Sequence, residues 1–175
     1  MQDVEVLKLA ADHAYKDLKD SIEGMTEAQA WGRIQLLPDE YLHSEGSILS
    51  VIAHVAGCKF IYGSCAYRDV EIRFRDITAR LESMWPDLAA IVAYLDEAQN
   101  YWISSWAAET DLSRMVKRFD FKEYPSWKII TVVTQHDVYH AGQIQLMRAS
   151  VPPSATPPPN EGDCWRRDCG SLPSW

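Results

Sequence analysis

Apolar residues recur at helical spacing in four long blocks of the chain, and turn residues or charged segments separate these blocks. The first block runs from Val4 to Ile22, and Gly24 is placed to end it. The second block begins behind the N-cap candidate Ser47, continues to Tyr67 and is apolar on nearly every side. This pattern is typical of a helix packed on several sides, so a helical bundle is predicted.

The third and fourth blocks carry apolar stripes of the same period. A charged stretch from Arg68 to Arg80 comes before the third block, which Pro86 at a first-turn position and Asp87 introduce. The stripe of the third block comprises Leu88, Ile91, Val92, Leu95, Ala98, Trp102 and Trp106. The fourth block extends from Trp127 to Ala149, and one face of it comprises Ile129, Val132, Val133, His136, His140, Gln143, Ile144 and Met147. The fold class predicted from the four blocks is all-α.

Three shorter segments complete the chain. Thr26 and Gln29 form a capping-box pattern, which predicts a short extra helix from Thr26 to Trp31. The alternating segment from Met115 to Tyr124 predicts an extended excursion that contains a short strand. Beyond residue 150, the run Val-Pro-Pro-Ser-Ala-Thr-Pro-Pro-Pro-Asn predicts an extended Pro-rich C-terminal tail. Residues 1–150 are therefore interpreted as one helical domain and residues 151–175 as the tail.

The composition is that of an ordinary globular protein, with 47% hydrophobic residues in a chain of 175. There are 17 lysines and arginines against 25 aspartates and glutamates, which gives a formal net charge of −8. Because phosphate contacts need a clustered basic surface, no nucleic-acid partner is expected. We find no signal-peptide pattern near the N-terminus and no uncharged apolar run of about 18 residues, so no membrane span is expected either.

The four cysteines, Cys58, Cys65, Cys164 and Cys169, do not show the spacing of a zinc ribbon or a redox motif. The members of the two pairs are seven and five residues apart, whereas those motifs use C-x-x-C pairs. We therefore expect four free thiols in a reducing, cytoplasmic location.

His136 and His140 are the pair of residues that most directly indicates chemistry. Their spacing of four places both imidazoles on one helical face, with Cβ atoms about 6 Å apart. Two imidazoles so placed can bind one divalent ion at about 2.0 to 2.1 Å from each nitrogen. Since the pair lies in the middle of an apolar stripe, a metal would offset the cost of burying two polar rings. The alternative is a structural pair of histidines without a metal.

A third ligand has to come from another part of the chain, and three histidines are available. His13 is adjacent to an apolar stripe, and His43 lies in a connecting segment with no orientation that can be inferred. His54 lies among apolar residues of the second block, which makes it the histidine expected to be most buried. Helices packed side by side can bring such a residue opposite His136 and His140.

These segments resemble a known family. The sequence Ser-Ile-Leu-Ser-Val-Ile-Ala-His54-Val-Ala-Gly, followed by His136-Asp-Val-Tyr-His140-Ala-Gly142-Gln143-Ile144, is similar to the DinB/YfiT-like family of metal-dependent enzymes. The resemblance covers about residues 4–149, and the second segment is its specific part. It implies a four-helix bundle with an up-down-down-up arrangement, in which His54, His136 and His140 bind a divalent metal ion, most commonly nickel or zinc.

The resemblance also implies a class of chemistry. Water or substrate would complete the metal coordination, and related branches include transferases and isomerases that use low-molecular-weight thiols. The expected function is a metal-dependent thiol S-transferase or hydrolase acting on small electrophiles in detoxification or stress response. The expected partners are a small-molecule substrate and a second copy of the chain in a homodimer. A helical bundle that binds a metal or a small molecule without turnover is the alternative.

A zinc protease is a weaker interpretation of the same helix. The motif His136-Asp137-x-x-His140 differs by one residue from His-Glu-x-x-His, in which the glutamate is the general base. Asp137 is one methylene shorter, and the single downstream candidate for a third ligand is Glu161, beyond the proline run. Asp137 is therefore expected to face outward or to be an outer hydrogen-bond partner of the site.

The remaining residues near the motif have structural and functional interpretations. Gly142 is expected to allow the close approach of a neighbouring helix, and Gln143 to serve either in helix packing or as a hydrogen-bond partner of a loop or a metal-bound ligand. Tyr139 is expected in the core rather than in a pocket. Cys58, one turn after His54, is expected to be a buried thiol rather than a soft metal ligand. Two tryptophans of the third block, Trp102 and Trp106, are expected in the core or at a dimer interface.

Overall fold

The structure is a computed structural model, and it describes residues 3–32 and 46–150. The elements in this part of the chain are α1 (Asp3–Ile22), α2 (Glu27–Ala30), α3 (Ile48–Tyr67), α4 (Phe74–Met84), α5 (Leu88–Trp106), β1 (Met115–Lys117), β2 (Glu123–Pro125) and α6 (Ser126–Ser150). The described chain is thus mostly helical, which confirms the all-α class. The predicted Pro-rich tail, Cys164, Cys169, Glu161 and His43 lie outside the described residues.

Four long helices make up the core, and α3 is the most deeply buried of them. It lies against α5 and α6, while α1 lies against α6. Fifteen of the twenty residues of α3 are buried, as expected for a helix that is apolar on nearly every side. Length and composition alone would allow α3 to cross a membrane, but 78% of its apolar window is buried inside the protein. That degree of burial is typical of a core helix.

Several helix ends follow from local residues, as predicted. Gly24 has a φ of +66°, a conformation that glycine adopts without strain, and it follows the end of α1. The capping box of Thr26 and Gln29 is present at α2. Ser47 caps α3, because its side chain accepts a hydrogen bond from the backbone N–H of Ser50 at 3.1 Å. These local signals therefore define three of the element boundaries.

The region between α3 and α5 differs from the prediction. Part of the charged stretch and the residues after it form α4, which was not predicted because it buries only Ile77 and Leu81. Pro86 does not lie in the first turn of α5. It precedes the N-cap Asp87 and follows a cis peptide bond with Trp85. The helix instead begins at Leu88, and the Asp87 side chain accepts a hydrogen bond from the N–H of Ala90.

The predicted extended excursion is a two-stranded antiparallel hairpin that leads directly into α6. Met115 pairs with Pro125 and Lys117 with Glu123, while Val116 on the inner face is buried. The N–H of Ser126, the first residue of α6, donates to the carbonyl of Arg114 at 2.9 Å. The hairpin therefore anchors the N-terminal end of the helix that carries His136 and His140.

Candidate metal centre

Three histidines from two packed helices converge at one point. His54 lies on α3, and His136 and His140 lie on α6, which packs against α3. Their nearest ring nitrogens all lie within 4.8 Å of one another, and these three residues form the group of possible metal ligands found in the described part of the chain. The structure therefore brings together the three ligands that the resemblance implied.

Two of the distances between the ring nitrogens suit a single metal ion. His136 Nε2 is 3.1 Å from His54 Nε2 and 3.1 Å from His140 Nε2. Two nitrogens bound to one ion at about 2.0 to 2.1 Å, with a tetrahedral or octahedral angle between them, are about 2.9 to 3.4 Å apart. Each Nε2 carries only one lone pair or one hydrogen in the ring plane, so His136 Nε2 cannot form two good hydrogen bonds at once. A metal ion can accept all three lone pairs together.

Gln143 holds the second histidine of α6 in a defined orientation. His140 Nδ1 lies 2.7 Å from Gln143 Oε1, one turn along the same helix. An amide oxygen can only accept a hydrogen bond, so the proton lies on Nδ1 and the lone pair on Nε2 faces the other two histidines. The sequence predicts either helix packing for Gln143 or a hydrogen bond to a loop or a metal-bound ligand, and the structure places its amide on the outer nitrogen of His140 instead.

The three histidines differ in how deeply they are buried. His140 is fully buried, whereas His54 and His136 are half-buried. Of the two candidates for the third ligand that the structure describes, His54 is the more buried, as expected, although His140 is more buried than His54. The fourth described histidine, His13, is exposed on α1 and takes no part in the site. Two of the three candidate ligands are thus partly exposed to solvent.

A buried ion pair lies beside the centre and links the same two helices. Lys59 Nζ lies 2.5 Å from Asp137 Oδ2, and the two side chains are only 1% and 2% exposed. Lys59 Nζ also donates to Gln99 Oε1 at 2.8 Å, which adds α5 to the network. Of the two alternatives predicted for Asp137, the outward-facing one is wrong, because the side chain is buried and the ammonium of Lys59 compensates its charge. A role as an outer hydrogen-bond partner of the site stays a prediction.

The low-dielectric surroundings of this pair affect the protonation of both partners. Burial lowers the pKa of Lys59 and raises the pKa of Asp137, while the charge of each partner opposes the shift of the other. The ring of Tyr15 on α1 lies 5.2 Å from Lys59 Nζ, and burial also raises the pKa of the Tyr15 hydroxyl. All four long helices therefore contribute a side chain to this network or contact it.

Cys58 lies close to the site without joining the group of ligand atoms. Its sulfur is 3.6 Å from His54 Nε2 and the residue is 7% exposed, which confirms the expected buried thiol. Neither Cys58 nor Cys65 is in a disulfide. The three imidazoles lie within 4.8 Å of one another and Cys58 is outside that group, so the candidate ligands are all nitrogen atoms.

Two other predictions near the motif are wrong. Tyr139 is 60% exposed rather than in the core, and its ring lies 4.9 Å from that of His140, so it borders the site. Gly142 is also exposed, and no side chain from a neighbouring helix in the described part of the chain lies within 4 Å of where its Cβ would be. By contrast Trp102 and Trp106 are each 1% exposed and belong to the core. A hydrophobic period of 3.6 residues identifies a helix. The packing of neighbouring helices decides which of its faces is buried.

No protein-family model matches this sequence, and no curated protein matches it significantly. The candidate site therefore rests on its own geometry.

Proposed function

We propose that this protein is a divalent-metal-dependent enzyme of the DinB/YfiT-like kind, with its long helices in an up-down-down-up four-helix bundle. The observation that carries the proposal is the convergence of His54, His136 and His140, with His136 Nε2 3.1 Å from the Nε2 atom of each of the other two rings. Nickel or zinc is the proposed metal, because imidazole nitrogen is a preferred ligand of both.

Each residue of the site would have a distinct role. His54, His136 and His140 would hold the ion, and a bound divalent ion lowers the pKa of a thiol or water ligand so that a nucleophile exists at neutral pH. Gln143 would keep His140 in the tautomer that a ligand requires. Tyr139, exposed beside His140, would contact a substrate that enters from solvent.

We propose that the reaction is thiol-dependent S-transfer to a small electrophile, or hydrolysis of one, in detoxification or stress response. A low-molecular-weight thiol suits the centre because a thiolate is both a soft ligand and an anion. The half-buried positions of His54 and His136 support this, since a small molecule can approach them from solvent. A homodimer is proposed as the working assembly, and light scattering of the purified protein measures it.

A helical bundle that binds a metal without turnover is the second candidate. One observation favours it. Asp137, the carboxylate adjacent to a ligand in sequence, is buried and paired with Lys59, so it is not available as a general base at the metal. The two candidates make the same prediction for metal content and opposite predictions for activity.

Metal analysis of protein purified without a histidine tag tests the proposal. About one equivalent of a transition metal is expected in the wild type, with a loss of most of it in His54→Ala and in His136→Ala. His13→Ala is the matched control, because His13 is an exposed histidine away from the site and its removal should leave the metal content unchanged. Less than about a tenth of an equivalent in the wild type after loading with nickel or zinc would refute the metal site.

A screen of low-molecular-weight thiols against small electrophiles then separates the enzyme from the binding protein. Activity that requires both thiol and metal, and that disappears in His136→Ala, supports the enzyme. Activity that survives in His136→Ala contradicts a metal-centred mechanism, and a metal-loaded protein inactive across the screen favours binding without turnover.

A further inference from the structure

We propose that Gln143 is a positioning residue of the metal centre, and that its neutral amide leaves the bound cation with its full charge so that the centre selects an anionic ligand. This inference rests on the proposed function, because it concerns the same three-histidine site. The geometry that carries it is the contact of 2.7 Å between Gln143 Oε1 and His140 Nδ1.

The contact determines which nitrogen of His140 faces the ion. With the Nδ1 proton donated to Gln143, Nε2 has its lone pair directed at the space shared with His136 Nε2, 3.1 Å away. Because His140 is fully buried, solvent does not compete for the Nδ1 proton, so the amide decides the ring orientation. Hydrogen-bond partners of this kind raise metal affinity because the ligand no longer has to be ordered on binding.

The type of acceptor determines the charge of the centre. In many metal sites a carboxylate accepts the outer histidine proton and adds a negative charge, whereas the acceptor here is a neutral amide. No aspartate or glutamate among residues 3–32 and 46–150 joins the group of ligand atoms, and the carboxylate of Asp137 is compensated by Lys59. A divalent ion held by three neutral imidazoles would thus keep both positive charges. It would therefore favour an anion, such as a thiolate or hydroxide, over a neutral ligand.

Substitutions at position 143 separate orientation from charge. Gln143→Leu removes the acceptor, Gln143→Ala does so with a smaller side chain, and Gln143→Glu keeps an acceptor but adds a negative charge. Gln145→Leu is the matched control, because Gln145 is an exposed glutamine on the same helix. Circular dichroism and thermal melting of the metal-free proteins check that each variant folds like the wild type.

The first measurement is Zn²⁺ affinity, obtained by competition with a chromogenic chelator. Gln143→Leu and Gln143→Ala are expected to bind Zn²⁺ about 10- to 100-fold more weakly than the wild type, the range typical for loss of such a partner. Gln143→Glu should bind at least as tightly as the wild type, and Gln145→Leu should be unchanged. A merely structural role for Gln143 would alter the melting of the metal-free protein instead, and Gln143→Glu would not restore the affinity.

The second measurement is anion binding to the Co²⁺-loaded proteins, followed by visible absorption during titration with thiocyanate. Gln143→Glu is expected to bind thiocyanate about tenfold more weakly than the wild type, because a carboxylate beside the Nδ1 atom of His140 lowers the net positive charge of the centre. Equal anion affinity in both proteins would overturn the charge argument. Zn²⁺ affinity of Gln143→Leu and Gln143→Ala within twofold of the wild type would overturn the positioning role.

These outcomes differ from failure of the proposed function. A wild-type protein that binds neither Zn²⁺ nor Co²⁺ refutes the metal centre itself, and the role of Gln143 with it. A wild-type protein that binds both, beside variants that bind equally well, refutes the role of Gln143 alone.

Discussion

Replacing Lys59 by methionine tests whether the ion pair beside the candidate metal centre is needed for folding. The substitution keeps a long unbranched side chain in the core but removes the only charge that compensates the carboxylate of Asp137 among the described residues. It also removes the donor to Gln99 Oε1. Asp137→Asn is the complementary change, since it preserves the shape of the side chain and removes its charge.

The magnitude follows from the distance and the burial of the pair. At 2.5 Å and an effective dielectric constant of about 20, the attraction between the charges is roughly 7 kcal/mol. Desolvation costs several kcal/mol for each ion, so the intact pair contributes little net stability. When one partner is lost, the remaining charged group stays buried without an opposite charge to offset its desolvation cost. We therefore expect Lys59→Met and Asp137→Asn each to lower the free energy of unfolding by about 3–5 kcal/mol.

The assay is urea unfolding of the metal-free proteins at neutral pH, followed by circular dichroism, for the wild type, both single variants and the double variant. The double variant should be more stable than the sum of the single effects predicts, by about 2–3 kcal/mol, because it leaves no unpaired charge in the core. Lys16→Met is the control. It breaks the exposed pair of Lys16 with Asp20 and should leave stability unchanged. A cost of less than about 1 kcal/mol for Lys59→Met, or strict additivity in the double variant, would refute the reasoning.

Four further predictions concern single sites. The ion pair with Arg118 lowers the pKa of Asp120 to about 2, so stability from this pair is present above pH 4 and is lost as the pH falls toward 2. Unfolding curves of wild type and Asp120→Asn should therefore differ by about 1 kcal/mol at pH 5 and converge near pH 2, and a constant difference would contradict this assignment. Gly24→Ala should destabilise the protein by about 1 kcal/mol because of the positive φ, and a neutral result in thermal melting would argue against that backbone conformation. Gly142→Ala should instead stabilise it by up to about 1 kcal/mol, since the helical position is open, whereas a destabilised variant would indicate a neighbour at this position. Cys58→Ala should retain the full metal content, and the Co²⁺-loaded wild type should lack a thiolate-to-cobalt charge-transfer band; the presence of that band would make Cys58 a ligand.

The long helices could be read from the sequence because their signals are local. Each signal involves residues that lie within one or two helical turns of each other. The signals are the period of the apolar stripes, Gly24 after α1 and Ser47 before α3. The sequence does not predict α4, because this helix buries only two residues, Ile77 and Leu81, and so lacks a long apolar stripe. The cis bond before Pro86 has no sequence signal beyond the proline itself.

The candidate site also has a part that local sequence signals predict and a part that they do not. His136 and His140 could be paired from their spacing of four on one helix, because helical geometry alone places them together. His54 lies 82 residues before His136, and only its apolar surroundings and the family resemblance selected it over the other histidines. The role of Gln143 was open in the sequence, because a residue on the histidine face can contact either a neighbouring helix or the ligand itself.

What the sequence determined by itself is therefore the set of long helices and the face that carries two of the candidate ligands. The tertiary structure decided that His54 meets this face, that Asp137 points inward to Lys59, and that Tyr139 and Gly142 point outward. The physical reason is that helical periodicity specifies the relative directions of side chains on one helix. Which face of a helix is buried depends on how the long helices pack against one another. Those contacts join residues far apart in the chain.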